Sequence, residues 1–134
     1  DMIDDLIHEI AHSNEKGFQE VIYGDGILEN EFLSKRVALK SILSRQEMRY
    51  NIPIHFGVDP TYNEIIDDFL YKDVTYNALW QMIPGIFPSP YAATSLREYF
   101  ARGFEEYFMG DPRDLKKVCP ILYSKMYNLH NMED

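Results

Sequence analysis

The sequence has one cysteine, Cys119, in 134 residues. That excludes an intrachain disulfide and any zinc cluster built on thiolates. It leaves the compartment open, because a reducing cytosol and a secretion route without disulfides both accommodate a lone thiol. Positive charge is also scarce: 13 Lys and Arg face 22 Asp and Glu, for a formal net charge of −9. A non-specific grip on phosphate backbones needs clustered cations, so nucleic acid is set aside as a partner. An acidic surface favours cationic over anionic peptides, or simply keeps the chain soluble. No apolar run approaches the roughly 18 residues of a membrane span, and no signal peptide is visible. The chain opens on Asp1 without an initiator Met, which reads as a fragment or a processed product.

The length suits one domain with one core. With 46% hydrophobic and 14% aromatic residues, that core is expected to be rich in rings. Ile3, Leu6, Ile7 and Ile10 recur at helical spacing in MIDDLIHEIAHS, and Gly17 is a suitable terminator. FQEVIYGDGILENE holds a β-branched and aromatic run before Gly24-Asp25-Gly26, and predicts a turn between extended pieces or a loop. Residues 31–51 predict a helix of about five turns, interrupted by Pro53, Gly57 and Pro60. One or two helices follow, with Pro60 suited to a start and Thr75 to a second cap, until Pro84-Gly85. IFPSPYAATS predicts an extended, proline-stiffened loop. Leu96, Phe100, Phe104 and Phe108 then mark a strong helix that stops at Gly110-Asp111-Pro112, and Pro120 kinks or restarts the last helical stretch. The fold class expected is mainly α, without internal repeats.

Within the first helix lies HEIAH, residues 8–12. Side chains four apart on a helix lie one above the other, so His8 and His12 suit a single metal ion, while Glu9 is turned aside by about 100°. Catalytic zinc takes three protein ligands and keeps an open position for a water whose pKa falls toward neutrality. Glu9 suits the general base that takes that water's proton. One familiar continuation places Gly three and His six residues beyond the second histidine; here Glu15 and Phe18 stand there, so that pattern fails. The third ligand is therefore expected to be a carboxylate. Glu64, which opens an E-x-x-x-D pattern with Asp68 as in thermolysin-like enzymes, is one candidate, and Glu98 is another. Glu98 also has a local reading, as the last member of a capping box with Ser95 or as a partner of Arg102. His55 and His130 are assigned no role.

SPYAATSLREYFARGFEEYF, residues 89–108, resembles a segment of the anthrax lethal factor catalytic domain and its Pro-Pro endopeptidase relatives. In that family a Tyr lies seven residues ahead of a Glu that opens an E-[FY]-F-A-E-x-F helix, and Tyr91 and Glu98 hold those places here. LKKVCPILYSKMYNL resembles the family's closing helix more loosely. The resemblance implies Glu98 as third zinc ligand and Tyr91 as hydroxyl donor to the oxyanion of the tetrahedral intermediate. Arg102 replaces the family's second Glu, so a carboxylate behind the ligands is missing or comes from elsewhere. The long gap between His12 and Glu98 implies inserted helices over about residues 25–85, which cover the cleft or bind a partner.

The expectation is thus a zinc metalloendopeptidase of the gluzincin type: His8, His12 and Glu98 bind Zn2+, Glu9 is the base, and Tyr91 the oxyanion donor. A peptide or protein is its substrate. Zincin proteases usually pair the extended substrate with a small sheet ahead of the metal-binding helix. No such sheet fits before His8, so an upstream β-sheet lobe of the same protein is expected as a further partner. Export or a virus particle is favoured over the cytosol. The alternative is a non-catalytic helical interaction module of a toxin or virus particle that keeps a structural or relic metal site.

Overall fold

The computed structural model describes the backbone of residues 2–132, leaving the side chains of residues 2–8, Asn14 and Met132 outside the described set. Eight α-helices appear in it: α1 (Met2–Gly17), α2 (Gln19–Tyr23), α3 (Ile27–Ser44), α4 (Glu64–Asp68), α5 (Tyr76–Met82), α6 (Leu96–Met109), α7 (Pro112–Val118) and α8 (Pro120–Met132). A π turn, Phe69–Val74, joins α4 to α5, and a 3-10 turn, Pro90–Ala93, precedes α6. Helix makes up 70% of the structure and no strand occurs among the described residues, so the fold is mainly α. None of these helices is long and apolar enough to cross a membrane.

α6 is central, packing against α1, α7, α8 and the 3-10 turn. Tyr99, Phe100, Ala101 and Phe104 are buried along it, whereas Phe108, expected on the same stripe, is exposed. Its start follows from the sequence: Ser95 Oγ accepts the Glu98 N–H at 3.2 Å, supplying a partner for one of the orphan donors of the first turn. At its end Gly110 breaks the helix, Asp111 caps α7 and Pro112 occupies the first turn.

α3 buries Leu28, Phe32, Arg36, Leu39 and Leu43 along one face. Arg36 is a charge on that stripe and is fully enclosed. Its guanidinium donates to the carbonyls of Ala93 (2.6 Å), Phe56 (2.6 Å) and Thr94 (2.9 Å), and lies 4.9 and 4.7 Å from the Phe32 and Phe56 ring centroids. Removal from water lowers its pKa to about 10, still high enough to keep it charged at neutral pH. Arg36 thereby ties α3 to the chain just ahead of α6.

Long-range side chains complete other helix ends. Glu31 of α3 accepts the N–H groups of Ile121 (2.8 Å) and Leu122 (3.2 Å), capping α8 from another helix, and takes the Tyr99 hydroxyl at 2.7 Å. Pro120 therefore starts a helix rather than kinking one. Lys125 reaches back to the Val21 carbonyl and Asp25, both at 2.9 Å, and fixes the Gly24–Gly26 turn.

Four expectations need correction. The stretch read as extended before Gly24 is helix α2, closed by Ile22 N–H to the Phe18 carbonyl at 3.0 Å; without a strand beside it, extended backbone would leave its polar groups unpaired. The helix expected over 31–51 begins at Ile27 and ends at Ser44, because Gly26, at φ 74°, starts it directly after the turn. The extended proline loop tightens into the 3-10 turn that carries Tyr91. Asn63, not Pro60, caps α4; Thr75 caps α5 as expected, its hydroxyl accepting from Ala78 N–H at 3.3 Å.

Candidate metal centre

His8, Glu9 and His12 all lie on α1, with His8 one turn before His12. The side chain of His8 falls outside the described residues. His12 and Glu98 approach across the packing of α1 on α6: His12 Nε2 is 3.3 Å from Glu98 Oε1, the two side chains being 24% and 16% exposed. Tetrahedral zinc holds an imidazole nitrogen and a carboxylate oxygen each at about 2.0–2.1 Å, which sets them about 3.3 Å apart. The observed spacing fits, and it equally serves a direct N–H to carboxylate contact. Among the described residues no trio of His, Cys, Asp or Glu forms a metal-binding group.

Of the two carboxylates weighed from the sequence, Glu98 is the one that meets His12. Glu64 is exposed at the start of α4, and Asp68 pairs with Lys72 on the surface at 3.6 Å. Half of the local reading of Glu98 is seen: Ser95 Oγ accepts its backbone N–H, while its carboxylate faces the imidazole. Arg102 pairs with Glu105 at 3.1 Å.

Glu9 is exposed and lines the same concavity as His12, Ser13, Glu15, Lys16, Gln19 and Arg97. Tyr91 is half-buried in the 3-10 turn, its ring 5.2 Å from the Arg102 guanidinium and 6.4 Å from the Tyr76 ring. Burial, then the Glu98 and Asp67 carboxylates, raise the Tyr91 hydroxyl above its ordinary range, so it keeps its proton and can donate it in a hydrogen bond. His55 is exposed in the turn after α3, and His130 packs on Tyr107, whose hydroxyl is 3.1 Å from its Nδ1.

One group beside the pair was not singled out from the sequence. Glu15, only 2% exposed, has Oε1 at 2.8 Å from Arg97 Nε and 3.8 Å from His12 Nδ1, and its Oε2 accepts the Tyr23 hydroxyl. Its position four residues after Ala11, on the buried side of α1, was the available signal. Arg36, on the apolar period of α3, was a second.

No protein-family model, no curated protein and no solved structure matches this chain.

Proposed function

We propose that this chain carries the zinc site of a metallopeptidase of the gluzincin kind, hydrolysing peptide bonds by attack of water. What supports the reading is the approach of His12 to Glu98, 86 residues later in the chain, within the very pair of segments that hold HEIAH and the lethal-factor-like helix. His8, His12 and Glu98 would hold the metal, which when bound supplies a Lewis acid that polarises the peptide carbonyl and makes water nucleophilic near neutral pH.

The chain's own residues divide the remaining work. Glu9, turned aside from the two imidazoles on the same helix, takes a proton from the attacking water and passes it to the leaving amine. Tyr91 donates its hydroxyl to the oxygen that gains charge as the carbonyl is attacked. An upstream lobe that binds the extended peptide belongs to the same proposal.

The test is zinc-dependent cleavage of a peptide library. Glu9→Gln is expected to abolish turnover and keep the metal; turnover that survives this change would remove the assigned base. A second reading has its own observation: Ile54, Val58, Tyr62 and Ile65 are exposed apolar residues close together in sequence, as an interaction module would present. Bound zinc with no turnover, even in the longest form of the protein, would favour it.

A further inference from the structure

We infer that Glu15 is a positioning residue which holds His12 in its metal-binding orientation. The inference rests on the zinc reading of His8, His12 and Glu98.

A carboxylate enclosed to 2% exposure is costly unless it is paired. Glu15 is paired from two sides, by Arg97 Nε at 2.8 Å and by the Tyr23 hydroxyl. Burial and the bond to Glu15 push the Tyr23 pKa far above its ordinary value, so Tyr23 remains a donor. Its ring stands edge-on to Phe100 of α6 at 6.2 Å, which seats the cluster between α1 and α6. Two donors do not exhaust a carboxylate, which offers about four acceptor directions. His12 Nδ1 lies 3.8 Å from Oε1.

Nδ1 also has Arg97 Nη2 at 3.4 Å. A guanidinium can only donate. Nε2 faces Glu98 Oε1 at 3.3 Å. A metal on Nε2 leaves the ring proton on Nδ1, with an acceptor beside it; metal-bound histidines almost always have such an outer partner. Arg97 cannot serve. Glu15 Oε1 can, after a shift of about 1 Å into hydrogen-bond range. Arg97, 66% exposed, then keeps its bond to Glu15 and gives up Nδ1.

Zinc affinity, measured by competition with a chromophoric chelator on the whole 134-residue chain, tests this without recourse to activity. Glu15→Gln is expected to weaken zinc binding about 10- to 100-fold, with Glu15→Asp intermediate, and with zinc-free melting temperatures that do not follow the same order. Equal affinity in wild type and Glu15→Gln overturns the inference and leaves the zinc reading standing. A wild-type chain that takes up no zinc overturns both. If the variants do not fold, nitrogen NMR of the zinc-loaded wild type decides: a His12 Nδ1 proton protected from solvent exchange is expected, and an Nδ1 proton that exchanges freely, or an Nδ1 bound to metal, overturns the inference.

Discussion

His12 Nε2 and Glu98 Oε1 stand 3.3 Å apart where α1 crosses α6. If they share a metal, removing the carboxylate must cost more than removing an outer partner. Glu98→Ala is expected to lower zinc affinity by more than the roughly 10- to 100-fold typical of outer-shell losses. Chelator competition reads this directly, and an unchanged affinity would take Glu98 out of the ligand set.

Tyr91 sits in a turn whose carbonyls are gripped at Ala93 and Thr94 by Arg36, so its place does not depend on its own hydroxyl. In Tyr91→Phe, kcat should fall about 10²- to 10³-fold with KM little altered, the pattern of a lost oxyanion donor. A raised KM at full kcat would instead make Tyr91 a substrate-binding group.

Arg36 is the largest fully buried side chain described. Its replacement by Met keeps much of the volume but strands the carbonyls of Phe56, Ala93 and Thr94. At about 1–3 kcal/mol for each buried unsatisfied group, Arg36→Met should destabilise the fold by roughly 3 kcal/mol or more. Urea denaturation followed by circular dichroism measures it. A loss below 1 kcal/mol would mean that water reaches those carbonyls.

Gly103 lies where α6 meets α8, and a Cβ there would clash with Leu122 Cδ2 and stand 2.6 Å from its Cγ. Leu122 is fully buried and has no room to withdraw. Ala is the better helix former by about 1 kcal/mol, but overpacking costs about 1–3 kcal/mol. Gly103→Ala should therefore come out destabilised in urea melts, and a stabilised variant would show that α8 can move aside.

Alkaline pH should weaken the fold through its tyrosines. Burial first, then Asp67 and Tyr91, push Tyr76 up to about 12; Tyr91 and Tyr107 are raised, and Tyr23 and Tyr99 further still, in each case chiefly by burial. In the unfolded chain these groups ionise near 10.0. Above that pH the unfolded chain binds fewer protons than the folded one, so stability falls as pH rises. The contribution is whole below pH 10 and is lost progressively above it, for Tyr76 by about 12 and for Tyr23 and Tyr99 at higher pH still. Denaturant midpoints should stay level with respect to these groups until about pH 10 and then drop. Tyrosinate absorbance from them should rise with unfolding, and its appearance in the intact fold near pH 10 would contradict the burial argument.

Local signals were the ones that sequence carried well. The Ser95 cap, the Gly110-Asp111-Pro112 break, the Thr75 cap and the Gly24–Gly26 turn each depend on residues within a few positions of one another. α2 was misread because β-branched and aromatic residues favour a strand only when a strand lies beside them. Trp80 has apolar neighbours in sequence, yet is exposed because α5 turns Leu79 rather than Trp80 inward. Glu31 capping α8 and Arg36 holding the carbonyls ahead of α6 join residues 57 or more positions apart, and no periodicity announces such a pair. The candidate site divides in the same way. HEIAH is local and was legible, Glu98 needed the resemblance, and Glu15 needed the geometry of Arg97 and Tyr23 around it.

The stretch expected as an insert between HEIAH and the helix that bears Glu98 holds α6 at its start. Leu96 N–H donates to the Pro60 carbonyl at 2.8 Å, and Arg36 grips the preceding turn. Cutting the chain and shortening it are therefore different injuries. A single protease nick between Met48 and Pro60 leaves both flanks clasping the helix that bears Glu98, whereas excising the whole stretch withdraws the floor beneath Tyr91 and unpicks the seam into which α1 fits.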